Sequence, residues 1–266
     1  MEVFAIIIRA VFPYKTGAVL FQSTYSLDRE AVYFSILADR FIFQNERGLR
    51  GLESFMKEIF KKGQVVLFQG DSITDCGRDR EDITSLAEGY PGVVANLYNT
   101  LFPENGVTFI NKGISGNRVT DLLDRYETDF KALKPDFLSI LIGINDTWRR
   151  YDNNDPTSTE QYEQNYRTLL TKIKKDLPDC RIMIIEPFVL YSLPDRKAWR
   201  EDLDPKIHVA RSLAREFADY YLPLDGIFAK TEVEQYNCTQ IAEDGVHPSA
   251  IGHSIIAEEY LKALAK

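Results

Sequence analysis

The stretch Gly63-Gln64-Val65-Val66-Leu67-Phe68-Gln69-Gly70-Asp71-Ser72-Ile73 decides how this chain is read. A short apolar, β-rich run (65–68) stops abruptly in residues that favour turns, as a strand does when it reaches the edge of a sheet. The same pattern recurs downstream at 107–110, 137–142, 182–185 and 221–224. These runs are largely apolar rather than alternating, as expected for strands covered by helices on both faces. Pro223 lacks a ladder donor, which suits the fifth run to an edge position.

Helical spacing fills the intervals. Val119, Leu122, Leu123, Tyr126, Phe130 and Leu133 recur at that spacing before Pro135, and Tyr162, Tyr166, Leu169, Leu170, Ile173 and Leu177 do so before Pro178. A last helix is predicted to open at Pro248 and to turn Ile251, Ile255 and Leu261 inward. Strands alternating with helices build a parallel sheet through right-handed crossovers. The predicted fold class is therefore α/β, a three-layer α/β/α sandwich on five parallel strands.

The chain has 266 residues, 44% of them hydrophobic, enough to bury the core of one large domain. Residues 1–55 are rich in aromatics but lack the strand–helix rhythm, so they are read either as a real extension that packs on the main domain, 56–266, or on a partner subunit, or as the product of an upstream start. Met56 is the expected natural start, because it runs almost directly into the first strand and leaves a chain of ordinary domain size.

Charged residues make up 27% of the chain, with a formal net charge of -8, which argues against nucleic acid or an anionic membrane as the main partner. No apolar run approaches the roughly 20 residues of a membrane span, and the start lacks the basic region of a secretory signal. The three cysteines, Cys76, Cys180 and Cys238, are scattered and form neither a zinc motif nor a disulfide framework. These features predict a cytoplasmic protein with no zinc site and no disulfide scaffold.

Ser72 follows the first strand, at the carboxyl edge where open α/β sheets place their sites. A turn or helix-capping serine has the same local sequence, so the tetrapeptide alone leaves both readings open. A serine nucleophile needs a base, and the chain has three histidines. His208 sits in a charged helical stretch and His253 on the last helix, where surface or core-edge roles are expected. His247 stands in Asp244-Gly245-Val246-His247-Pro248, a loop in which the Asp244 carboxylate can hold one ring nitrogen while the other turns toward the serine.

Two further turns follow strands. Gly113-Ile114-Ser115-Gly116-Asn117 offers backbone N–H groups, Gly116 first among them, and Gly143-Ile144-Asn145-Asp146 offers the Asn145 amide. Each turn alone is ordinary loop chemistry. Ser72, Gly116, Asn145 and the Asp244/His247 pair in four loops at one sheet edge are a constellation for acyl transfer.

In these four blocks the chain resembles the SGNH (GDSL-type) hydrolases. The resemblance covers roughly residue 61 to the C-terminus. It implies a flavodoxin-like fold, Ser72 as nucleophile, Asp244 and His247 completing its triad, and an oxyanion hole from the Ser72 N–H, the Gly116 N–H and the Asn145 amide. Ile73 stands where the family name has leucine, a swap of similar volume. The sequence around Ser72, Ser115 and Asn145 is similar to acetylxylan esterases, which implies a small acetylated saccharide as substrate. Trp148, Arg149 and Tyr151 follow Asn145 closely and suit contacts to a sugar ring or to a second subunit, and Asp71 is a further candidate at the substrate or in bracing the nucleophile turn. Cys76 has no histidine near it in sequence and is not expected to act as a nucleophile.

Overall fold

The computed structural model describes residues 59–264 of the chain. Five parallel strands form one sheet in the order β2-β1-β3-β4-β5. They are β1 (Val65–Gly70), β2 (Thr108–Asn111), β3 (Phe137–Leu141), β4 (Arg181–Ile185) and β5 (Tyr220–Leu222). Every predicted run is a strand. The fifth is shorter than predicted because Pro223 ends it and caps the next helix, and it lies at the sheet edge, as its missing donor requires.

Ten helices surround the sheet among the described residues: α1 (Ser72–Asp75), α2 (Tyr90–Leu101), α3 (Val119–Asp124), α4 (Tyr126–Asp129), α5 (Ile144–Asp152), α6 (Thr159–Asp176), α7 (Arg196–Phe217), α8 (Leu224–Glu234), α9 (Cys238–Ile241) and α10 (Ala250–Leu264). Alternate strand residues divide two cores. Val66, Phe68, Met183 and Ile185 pack with α2, α8 and α10, while Leu67, Leu138, Ile140, Ile182 and Ile184 pack with α3, α4 and α6. Helix α7 joins the first core through Trp199, Leu203 and Ile207 and the second through Ala210 and Leu213. This is the expected three-layer sandwich. The expectations for residues 1–55 and for a start at Met56 lie outside the described residues.

Two helix predictions are corrected. The single helix expected before Pro135 is broken into α3, α4 and a 3-10 turn (Lys131–Leu133). The break falls at Arg125, whose guanidinium is drawn inward to Gln69 Oε1, Asn117 Oδ1 and Asp129 Oδ2. The last helix opens at Ala250 rather than at Pro248, because Ser249 serves as its cap: the Gly252 N–H donates to its Oγ and the His253 N–H to its carbonyl.

The strand order sets the site. The chain passes from β1 outward to β2, then returns to place β3 on the other side of β1, with Gly70 beside Leu141. That reversal opens a crevice at the carboxyl ends of β1 and β3, into which Ser72 and Asn145 are delivered.

Candidate active site

Ser72 opens α1, whose cap is Asp71: the Ile73 N–H donates to Asp71 Oδ1 at 3.0 Å. Ser72 Oγ lies 2.9 Å from His247 Nε2, and His247 Nδ1 lies 2.7 Å from Asp244 Oδ2. With Nδ1–H donating to the carboxylate, Nε2 is the free acceptor for the serine proton. The other Asp244 oxygen, Oδ1, accepts from the Val246 and His247 N–H groups at 2.9 and 2.7 Å, so the carboxylate is fixed from three sides. Burial raises the Asp244 pKa, but the His247 ring and these N–H groups outweigh it and hold it down at about 2. The same Asp244 bond lifts the His247 pKa above its ordinary 6.5, with partial burial opposing. His247 and Asp244 stay partly open to solvent, as a base that meets an incoming substrate must.

The turn after β2 presses on α1. A side chain at Gly113 would put its Cβ 2.3 Å from the Asp75 nitrogen, so this glycine serves close packing against the nucleophile helix rather than approach to a substrate. Gly116, three residues on, is exposed with φ at +85°. Among the described residues, neither its N–H nor that of Ser72 has a protein acceptor. Asp75 ties the turn down, accepting from Ser115 N at 2.9 Å and Ser115 Oγ at 2.8 Å, with Arg80 on the same oxygen. Asn145 sits in the first turn of α5, and its Nδ2 donates to Asn117 O at 3.1 Å, which brings the blocks of Gly116 and Asn145 together. Asn145 Oδ1 accepts from Arg149 at 3.2 Å.

Ser72, Gly116, Asn145, Asp244 and His247 thus come from four loops to one sheet edge. The other candidates divide. The Trp148 ring lies 5.7 Å from the His247 ring, at the margin of the site. Tyr151 is exposed and stacks on Trp199 at 5.3 Å, with its hydroxyl donating to Ala198 O. Asp71 does not face a substrate. It is fully buried, which corrects the expectation of a substrate contact and leaves bracing of the nucleophile turn. Burial pushes its pKa to about 7 and does the same to Asp146, the neighbour of Asn145.

Three supporting groups had no signal in the sequence. Arg196 is buried between Trp199, 4.0 Å from its guanidinium carbon, and Trp148, 5.3 Å away, and its Nε donates to Asp244 O at 2.8 Å. Arg125 links Gln69 and Asn117 across β1 and the β2 turn. His253 is not at the surface or the core edge but buried, with Nε2 3.4 Å from Cys76 Sγ. The Tyr90 N–H donates to its Nδ1, so its proton sits on Nε2 and it donates to the sulfur instead of accepting from it. Burial brings the His253 pKa down to about 4 and pushes the Cys76 thiol up, so this pair is no second nucleophile and base. Among the described residues no cluster of His, Cys, Asp or Glu is arranged to hold a metal ion, and no helix is long and apolar enough to cross a membrane.

A parallel sheet of this order with a serine, histidine and carboxylate converging at its switch point defines an α/β serine-hydrolase arrangement. Residues 68–255 match the GDSL-like lipase/acylhydrolase family, and the chain belongs to that family. It is 36% identical over 210 residues to an acetylxylan esterase of Geobacillus stearothermophilus, covering 76% of this chain and 94% of that one. The crystal structure of an acetylxylan esterase from the same organism superposes with a TM-score of 0.70 at 35% identity, over 77% of this chain and 95% of the other. Solved structures of that esterase include catalytic mutants in which a serine, a histidine or an aspartate is replaced by alanine. The protein is a carboxylic ester hydrolase on the SGNH fold.

Proposed function

We propose that this esterase removes O-acetyl groups from small acetylated saccharides, acetylated xylo-oligosaccharides foremost, through an acyl-enzyme on Ser72. The observation that carries the mechanism is the hydrogen-bonded line from Ser72 Oγ through His247 to Asp244, at 2.9 and 2.7 Å. The saccharide rests on the likeness to acetylxylan esterases.

His247 Nε2 takes the Ser72 proton as Oγ bonds to the acetyl carbonyl carbon. The Ser72 and Gly116 N–H groups and Asn145 Nδ2 receive the negative charge that forms on the carbonyl oxygen, each donor contributing about 2.7–4 kcal/mol at the transition state. Collapse breaks the bond to the sugar oxygen, which leaves with the proton held by His247. Water then enters, gives its proton to His247, attacks the acetyl carbon and releases acetate, and the proton returns to Ser72. Every proton and electron pair is accounted for by side chains and water, so the reaction requires no cofactor.

The test is acetate release from acetylated xylo-oligosaccharides beside a series of 4-nitrophenyl esters of increasing chain length. Acetate preference together with loss of activity in Ser72→Ala is the expected result. Equal activity in Ser72→Ala would refute the nucleophile, and preference for long acyl chains would refute the acetyl substrate in favour of a lipid or thioester acyl hydrolase.

A further inference from the structure

We infer that Arg149 is a positioning residue of the oxyanion hole, acting on the reaction through the Asn145 side chain rather than through contact with the sugar. The inference rests on the acyl-transfer reading above, in which Asn145 Nδ2 receives the oxyanion.

A primary amide can serve that purpose in only one of its two orientations. Rotated by half a turn, it would present Oδ1, an acceptor, to a developing negative charge. Two partners fix the choice here. The Asn117 carbonyl, 3.1 Å from Nδ2, can only accept, and the Arg149 guanidinium, 3.2 Å from Oδ1, can only donate. The reversed amide would set acceptor against acceptor on one side and donor against donor on the other. With one Nδ2 hydrogen committed to Asn117, the second is left for the substrate oxygen.

Arg149 is placed for this task by the helix. It lies four residues after Asn145 in α5, so the two side chains share a face. Its second guanidinium nitrogen is held by Asp152, and its carbon stands 5.7 Å from the centre of the Trp148 ring. The planar fork is therefore held at both ends, one terminal nitrogen on Asn145 Oδ1 and the other on the Asp152 carboxylate. A cation on Oδ1 also draws electron density from the amide and so strengthens Nδ2–H as a donor, because linked hydrogen bonds polarise one another.

The experiment uses 4-nitrophenyl acetate, which carries no sugar for Arg149 to bind, with the full chain as parent. Arg149→Gln is expected to lower kcat by roughly tenfold with KM within about twofold, less than the 10²–10³-fold that removal of an oxyanion donor costs. Arg149→Lys, which keeps a donor-only cation, restores part of the loss. In an Asn145→Ala background the Arg149→Gln loss disappears, because its target is gone. An undiminished Arg149→Gln effect in that background, or a rise in KM at constant kcat, would overturn the inference alone. An Asn145→Ala enzyme with unchanged kcat would overturn it together with the oxyanion reading beneath it.

Discussion

Replacing Asp244 by Asn separates the geometry of the triad from its proton placement. The side chains are isosteric, and Asn Oδ1 can still accept from the Val246 and His247 N–H groups now bound at 2.9 and 2.7 Å, so the loop keeps its shape. The other position changes from acceptor to NH₂ donor, 2.7 Å from His247 Nδ1. Nδ1 must then become the acceptor, which moves the ring proton to Nε2, the atom that has to receive the Ser72 proton. In the Ser-His-Asp template this wrong tautomer alone costs about 10⁴-fold in kcat, equivalent to about 5.5 kcal/mol at the transition state. One hydrogen bond to a charged group contributes only about 1.5–3 kcal/mol to stability, so turnover collapses in a protein that remains folded. Steady-state hydrolysis of 4-nitrophenyl acetate beside urea unfolding measures both. The carboxylate is also what lifts the His247 pKa, so the acid limb of the residual activity moves to lower pH. A variant within tenfold of the parent in kcat would refute the assignment of Asp244 as the orienter of His247.

Four other outcomes follow from the packing around the site. Gly113→Ala drives a Cβ to within 2.3 Å of backbone in α1 and should cost about 1–3 kcal/mol by urea unfolding with a clear fall in kcat; unchanged stability would show that the turn yields freely. Arg196→Met removes a charge that opposes the Asp244-driven rise of the His247 pKa, so the acid limb of kcat/KM moves to higher pH and Arg196→Lys returns it; an unmoved limb in Arg196→Met would refute the coupling. Lys206→Met leaves the buried Asp202 with the half-exposed Arg150 as its remaining cationic partner among the described residues, and up to about 3–5 kcal/mol of stability is expected to go, read by denaturant unfolding. A chain beginning at Met56 keeps Phe60, which packs at 5.1–6.0 Å against Tyr98, Phe109 and Phe137, and should match the full chain in kcat, whereas one beginning at Gly63 loses that ring and about 3–5 kcal/mol.

The features legible in the sequence are those that local physics writes into neighbouring residues. Strand β1 is read from four apolar residues and the turn after them, and α6 from Tyr162, Tyr166, Leu169 and Ile173, all buried where their spacing places them. The four site blocks are legible for a related reason: three are strand ends followed by residues that suit a turn with donors or a nucleophile, and the fourth, between α9 and α10, sets an aspartate and a histidine three residues apart around a glycine. What stayed hidden depends on partners far along the chain. The break of α3 from α4 at Arg125 answers to Gln69, 56 residues earlier. The burial of His253 answers to the Tyr90 N–H, and the place of Arg196 to two tryptophans and the Asp244 carbonyl. None of these pairings has a period or a local motif, so apolar spacing could predict the helices that carry them but not the contacts they make.

The triad sets stability and activity against each other over one pH interval. A His247 pKa raised by Asp244 means that the protonated pair stabilises the fold fully below 6.5, the ordinary imidazole value, and that this contribution is lost as pH rises through the higher folded pKa. Catalysis runs the other way, because only neutral Nε2 can accept from Ser72, so turnover grows over the interval in which the ion pair disappears. Asp244 adds a second contribution, present above 3.8 and lost only as pH falls toward about 2, far from the working range. The site must therefore hold its shape at the pH where its own ion pair is gone. The other fastenings, Val246 and His247 N–H on Asp244 Oδ1 and Arg196 on the Asp244 carbonyl, do not require the His247 proton. Their independence explains why the loop carrying the base is anchored through its backbone and through an arginine buried between two indole rings, rather than by the histidine alone.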